Sequence, residues 1–125
     1  MFETIALHPI GRVARRGDES VIEVSPEYAD ALDGVEDQDH LWILFWMHEL
    51  PPEERHRLRT HPMGNRSQPE RGVFALHSPM RPNPIGVTRV KLLERQGNRL
   101  VVSGLDAQDG SPVLDIKGEP PARDS

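Results

Sequence analysis

The sequence predicts a small, mostly β protein: a closed or partly open barrel of about seven strands with one or two short helices. Three observations carry that expectation. Apolar residues fall in short runs, turn signals separate the runs, and Pro and Gly number 12 and 10 among 125 residues. With 36% hydrophobic residues, the chain still has a core to bury, so the excess of Pro and Gly signals turns and not disorder. The length is that of one domain, expected to bury roughly two-thirds of its unfolded surface.

The elements follow in order. Thr4–Leu7 and His8–Val13, divided by Pro9, form a first strand or two short edge pieces, and Val21–Val24 a second strand. Ser25 ahead of Pro26, with Tyr28, Ala29 and Leu32 on one side, starts a short helix that Gly34 ends. His40–His48 is apolar on both faces, as expected of a strand through the middle of the core. Pro51–Leu58 places acids before bases and gives one or two exposed helical turns. Arg59–Arg71 has no apolar periodicity and reads as a long surface loop, after which Gly72–His77 returns to strand. Ser78–Gly86 contains three prolines, each fixing its own φ and extending the residue before it, so it is a stiff connector and not a helix. Val87–Leu93 and Arg99–Leu105, joined around Gln96-Gly97-Asn98, make the clearest hairpin. Asp109-Gly110 then turns the chain into Pro112–Ile116. The expected barrel domain spans residues 1–117, and residues 118–125 form a polar tail.

Composition excludes several functions. With no Cys there are no disulfides, thiolate metal sites or thiolate nucleophiles. The opening Met1-Phe2-Glu3-Thr4 lacks a basic and apolar leader, and the longest apolar run, Leu41 to Met47, is short, so a cytoplasmic protein with no membrane span is expected. Neither the glycine-rich dinucleotide and phosphate loops nor a G-x-S-x-G elbow is present. His77 and Ser78 are adjacent, and adjacent side chains of a strand point to opposite faces. His40 and His48 would lie roughly 26 Å apart along a regular strand, so no metal site is expected.

Charge is unevenly placed. Gly17–Leu50 holds ten acidic residues and no Lys or Arg, whereas Pro51–Arg99 holds ten basic and four acidic residues. A band through Arg55, Arg57, Arg59, Arg66, Arg71 and Arg81 suits either the acidic surface of a neighbouring subunit or a polyanion. The overall pI near 5.6 argues against nonspecific nucleic-acid affinity, and no DNA partner is expected. Within Ser78–Gly86 the prolines hold Arg81 and the Asn83 amide ready for a polar ligand. Asp115 sits inside an apolar strand, where a carboxylate needs a partner such as Lys117 or Arg81.

The strings His40–His48 (HLWILFWMH), Gly72–Ala75 (GVFA), Ser78–Gly86 (SPMRPNPIG) and Asp109–Lys117 (DGSPVLDIK), in that order, resemble the TsaA-like or TrmO-type family. Ile10-Gly11-Arg12-Val13 fits that family's opening, so the likeness runs from Ile10 to Lys117. The resemblance implies a small β-barrel that forms a homodimer and binds S-adenosylmethionine without a Rossmann fold. It further implies N6-methylation of an adenosine in tRNA. Carried over by position, the cofactor contacts fall on His48, Glu49, His77, Val87, Ser103, Gly104, Leu105 and Asp106. On this reading Glu49 and Asp106 hold cationic or hydroxyl parts of the cofactor, Arg81 and Asn83 face the substrate, and Asp115 orients Arg81 or Lys117. Three departures from the family pattern are Leu76-His77 in place of Thr-Arg, only Ala14–Ser20 after the first strand, and Gly118-Glu119 in place of Pro-Tyr. The alternative reading is a catalytically silent module that binds S-adenosylmethionine or a nucleotide.

Overall fold

The computed structural model of the protein describes residues 3–120. Six strands close into an antiparallel barrel: β1 (Gly11–Arg16), β2 (Glu19–Val24), β3 (His40–Trp46), β6 (Ile85–Gln96), β7 (Arg99–Ser103) and β8 (Pro112–Gly118). Their order around the barrel is β1-β2-β7-β6-β3-β8, with β8 returning to β1. The remaining two strands, β4 (Arg59–Thr60) and β5 (Arg71–Gly72), pair with each other outside it. Both expected helical stretches are 3-10 segments, Pro26–Leu32 and Pro52–His56, each begun by proline.

Alternation along the strands fills the interior. Leu41, Ile43 and Phe45 of β3 point inward and meet Val13, Ile22, Val90, Leu100, Val102 and Val113. The other face of β3, with Trp42, Leu44 and Trp46, is only half-buried. β3 therefore lies between β6 and β8 with one covered face and not two, which corrects the expectation from its unbroken apolar run. Burying aliphatic side chains of this size stabilises by roughly 1.5–3 kcal/mol each.

Several boundaries differ from expectation. Among the described residues no strand forms before Gly11, because Pro9 has no N–H to give a ladder and Thr4–Leu7 lies exposed. β2 starts two residues early, since Gly17-Asp18 makes a two-residue turn that pairs Arg16 with Glu19. The long loop is not wholly irregular: its two ends pair as β4 and β5. Beyond Gly72 the expected strand gives way to a 3-10 turn over Val73–Ala75: its antiparallel partner runs back through Leu58 into the Pro52–His56 3-10 segment, which offers no strand to pair with. Gly118 ends β8, and Glu119 accepts bonds from Arg89 and, at 3.4 Å, from the Trp42 indole. These two residues thus belong to the barrel and not to a tail; residues 121–125 lie outside the described residues. Among the described residues no helix is long and apolar enough to cross a membrane.

Gly86 explains one letter of the proline-rich block. It faces Phe45 across the β3–β6 ladder, and a Cβ there would enter the Phe45 ring. Gly86→Ala is expected to destabilise by about 1–3 kcal/mol through overpacking. Urea unfolding should show that loss shrinking in a Phe45→Leu background, and equal losses in both backgrounds would remove the explanation.

The Arg89 hydrogen bond, followed by that of Trp42, lowers the Glu119 pKa from its ordinary 4.5. A depressed carboxylate stabilises the fold above its unfolded pKa, and the contribution disappears as pH falls through the folded value. Glu119→Gln should therefore melt below the parent at neutral pH, and the two curves should converge well below pH 4.5.

Candidate functional site

One end of the barrel gathers three segments: the residues after β3, the connector before β6 and the link between β7 and β8. Met47 N–H donates to Pro84 O at 2.8 Å, which ties the first segment to the second. Ser111, buried at the end of the third, approaches His48 Nδ1 through its hydroxyl at 3.5 Å. Between them lies a recess of about 440 Å³ with His48, Glu49, His77, Asp106 and Ser111 on its walls. Phe45, Met47, Leu50, Pro51 and Pro79 supply the apolar lining. A second hollow of about 250 Å³ shares Phe45, Met47, His77 and Asp106 with it, and adds Phe74, Arg81 and Val87.

The β7–β8 link is held from outside. Arg15, on β1, donates from Nη1 to Leu105 O at 2.9 Å and Ala107 O at 3.3 Å, the carbonyls on either side of Asp106. The backbone N–H of Arg15 donates to Asp109 Oδ1 at 2.8 Å, and Arg12 Nη1 to Gly110 O at 3.1 Å. Leu105 and Ala107 turn into the core, so the chain between Ser103 and Ser111 is pinned on both sides. Asp106 is presented by a fixed loop.

Arg81 organises the connector. Its Nη1 donates to Leu76 O at 2.9 Å and Ser78 O at 3.1 Å, and its guanidinium carbon lies 6.0 Å from the Phe74 ring centroid. Met80 N–H donates to Ser78 Oγ at 3.1 Å. Prolines and these bonds together leave the segment few alternative conformations.

Of the residues expected to contact cofactor, His48, Glu49, His77, Val87 and Asp106 line the paired hollows. Ser103, Gly104 and Leu105 lie outside both linings and carry the chain to Asp106. Arg81 and Asp106 share the smaller hollow. Asn83 lines a separate groove on the outside of the barrel, with Trp46, Ile85 and Ile5. Asp115 is half exposed and pairs with Lys117 Nζ at 3.2 Å, so the expectation that it is buried in an apolar strand is corrected. The cause is a register shift: Phe45 faces Val113 while Leu44 faces Asp115, so an extra residue on β8 turns Asp115 outward. Sequence reasoning missed Ser111, Phe74 and Arg15. The first two stand inside the quoted family strings, whereas nothing local marks Arg15.

With this geometry in view, comparison with known proteins is decisive. Residues 1–125 match the tRNA-methyltransferase O N-terminal domain. The chain belongs to that family. A relative from Archaeoglobus fulgidus, named an S-adenosyl-L-methionine-binding protein, is 48% identical over 105 residues, covering 84% of this chain and 72% of its own. Another from Methanothermobacter thermautotrophicus, named "Probable S-adenosyl-L-methionine-binding protein", is 51% identical over 100 residues, covering 80% and 69%. The crystal structure of TrmO from Pseudomonas aeruginosa superposes with a TM-score of 0.74 at 30% identity, covering 100% of this chain and 59% of that one. The chain thus spans about three-fifths of the solved TrmO chain, and the match extends over its whole barrel.

The Arg15 clasp carries its own test. Arg15→Met keeps the aliphatic stem and removes the two carbonyl bonds. Exchange of the backbone amides from Asp106 to Gly110 should quicken by roughly tenfold or more, as expected for losing charge-assisted bonds of ~1.5–3 kcal/mol. Unchanged exchange there would show that Arg15 does not hold the loop.

Proposed function

We propose that the protein binds S-adenosylmethionine in the recess between His48, Glu49, His77 and Asp106, and transfers its methyl group to adenosine N6 in RNA. The observation that carries this reading is the pairing of two carboxylates with apolar walls in one recess of about 440 Å³. That volume lies within the range of roughly 300–1,000 Å³ usual for small-molecule sites. The donor set fits the group: Glu49 and Asp106 could hold a sulfonium, an ammonium or ribose hydroxyls, and Phe45, Met47 and Pro79 would offer apolar surface to an adenine ring. Family membership and the relatives' names support the same assignment.

When bound, S-adenosylmethionine supplies an electrophilic methyl carbon on a positively charged sulfur. The protein's task is then alignment. Asp106, clamped by Arg15, and Glu49, next to His48, fix the polar ends of the site from two elements. Phe45, Met47, Leu50 and Pro79 give the recess apolar surface, which would limit water around the reacting centre. Arg81, bound to two carbonyls, keeps the rim of the smaller hollow in shape for the incoming nucleoside. Holding nucleophile, carbon and leaving group in line supplies most of the acceleration such a displacement needs.

Calorimetric titration with S-adenosylmethionine tests the binding half. The parent chain should bind, and Asp106→Asn and Glu49→Gln should each weaken binding by tenfold or more, consistent with ~1.5–3 kcal/mol per charge-assisted bond. No heat for the parent, in a folded sample, overturns the assignment. Transfer of a labelled methyl group to total tRNA, digested to nucleosides, tests the second half. Binding without transfer would leave a sensor module in place of an enzyme.

A further inference from the structure

The segment between β3 and β6 is electrostatically unlike the body that carries it. Residues 51–81 contain six Arg and three Glu, whereas the remainder of the chain contains nine basic and seventeen acidic residues. A net positive arm thus contrasts with a net negative remainder, whose acidic residues lie mostly in connections such as residues 25–39 and not in the barrel strands. None of the six ion pairs among the described residues uses Arg59, Arg66 or Arg71, and all three are exposed. Arg59 Nη2 donates to Glu70 O at 3.2 Å, and among the described residues no carboxylate neutralises any of the three.

The arm also ends at the site. Arg59 and Arg71 belong to the β4–β5 pair, Arg59 facing Gly72, and Val73 N–H donates to Leu58 O at 2.9 Å. Immediately after Val73, which is buried, comes Phe74, whose side chain lines the smaller hollow and is 79% exposed. A Phe left so open gains nothing from burial within this chain. It has the Arg81 guanidinium near its ring, and Val87 lines the same hollow.

Resting on the methyltransferase reading above, we infer that residues 59–74 form a landing surface for single-stranded RNA, with Arg59, Arg66 and Arg71 on phosphates and the Phe74 ring stacked against a base at the mouth of the smaller hollow. The chemistry is specific in kind. A guanidinium fork takes phosphate oxygens in pairs, and every nucleobase has a flat face that an exposed aromatic ring accepts. An acidic protein surface would satisfy the arginines and leave the ring unused. The net negative charge of the rest of the chain disfavours a polyanion on the acidic connections, which favours the arm. Glu49 lines only the larger recess, and Asp106 lies where the two hollows meet.

The test uses the full chain and a fluorescein-labelled ten-residue oligoadenylate, followed by anisotropy at several salt concentrations. Binding is expected with log affinity falling linearly with log salt. Arg59→Ser/Arg66→Ser/Arg71→Ser should weaken it at least tenfold and reduce the salt slope by about two to three, one per lost phosphate contact. The corresponding triple Lys variant should restore most of the slope. Heat of S-adenosylmethionine binding should be the same in parent and triple Ser variant, which separates failure of this inference from failure of the cofactor assignment. Phe74→Leu should lower affinity about fivefold to a hundredfold with the slope retained, since stacking contributes about 1–3 kcal/mol per base. Phe74→Trp should retain affinity and show fluorescence quenching on RNA addition beyond that of the parent. Three results overturn the inference: a parent that takes up S-adenosylmethionine and ignores the oligonucleotide, a triple Ser variant with unchanged affinity and slope, or a triple Ser variant whose sedimentation shifts from dimer to monomer, which makes the arm a subunit contact.

Discussion

The barrel closes at its weakest seam, and the rest of the molecule depends on that closure. β8 meets β1 through only two residue pairs, Gly11 with Val113 and Arg12 with Pro112. Backbone bonds on either side, Ile10 N–H to Val113 O at 2.8 Å and Val13 N–H to Ser111 O at 3.0 Å, lengthen the seam slightly. An open edge here would expose both the inner residues Val13 and Val113 and a row of unpaired peptide groups. β1 must come very close to β2 to reach β8, and Gly11 permits it: a Cβ at that position would run into the Glu23 carbonyl. Reinforcement comes from side chains. Arg12 and Arg15 reach past the seam to carbonyls of the β7–β8 link, so the same contacts that finish the barrel hold Asp106. Closure and site are one construction.

The opposite flank obeys a different constraint. β3 lies between two long neighbours, and its strict alternation puts Leu41, Ile43 and Phe45 into the core. The register shift opposite Leu44 and Phe45 bends β8 as it approaches the seam, and its by-product is the outward-facing Asp115. Gly86, across from Phe45, lets that ring lie flat over β6 at the point where the strand emerges from the connector. One aromatic residue therefore belongs to the core and to the wall of both hollows.

How much of this was legible follows from the range of each interaction. The β6–β7 hairpin was legible because its turn and alternation lie within twenty residues, and the stiffness of Ser78–Gly86 because proline acts on its own backbone. The family strings made the barrel and the cluster of His48, His77, Val87 and Asp106 legible by resemblance. The bulge was not, since nothing on β8 alone says which residue will be skipped by its partner. Nor was the role of Arg15, whose bonds span about ninety residues of sequence. The apolar run of β3 misled for a related reason: a half-buried outer face with Trp42, Leu44 and Trp46 has the same composition as a covered one.

The split in charge and the shape of the connector answer to each other. A cationic cofactor calls for a carboxylate-lined recess and a polyanionic acceptor for an arginine-bearing surface, and mixing the two in one cavity would weaken both. The segment from Phe74 to Val87 borders both hollows. His77 touches both hollows, Arg81 is committed to its own backbone, and Pro79 faces the larger recess. Three prolines and an internally bonded arginine are what a border of this kind requires: a flexible loop would let a guanidinium swing onto Asp106 and neutralise the proposed cofactor site. Rigidity in the block that marks the family thus keeps the Arg81 guanidinium on its own backbone and off Asp106, beside the proposed cofactor recess.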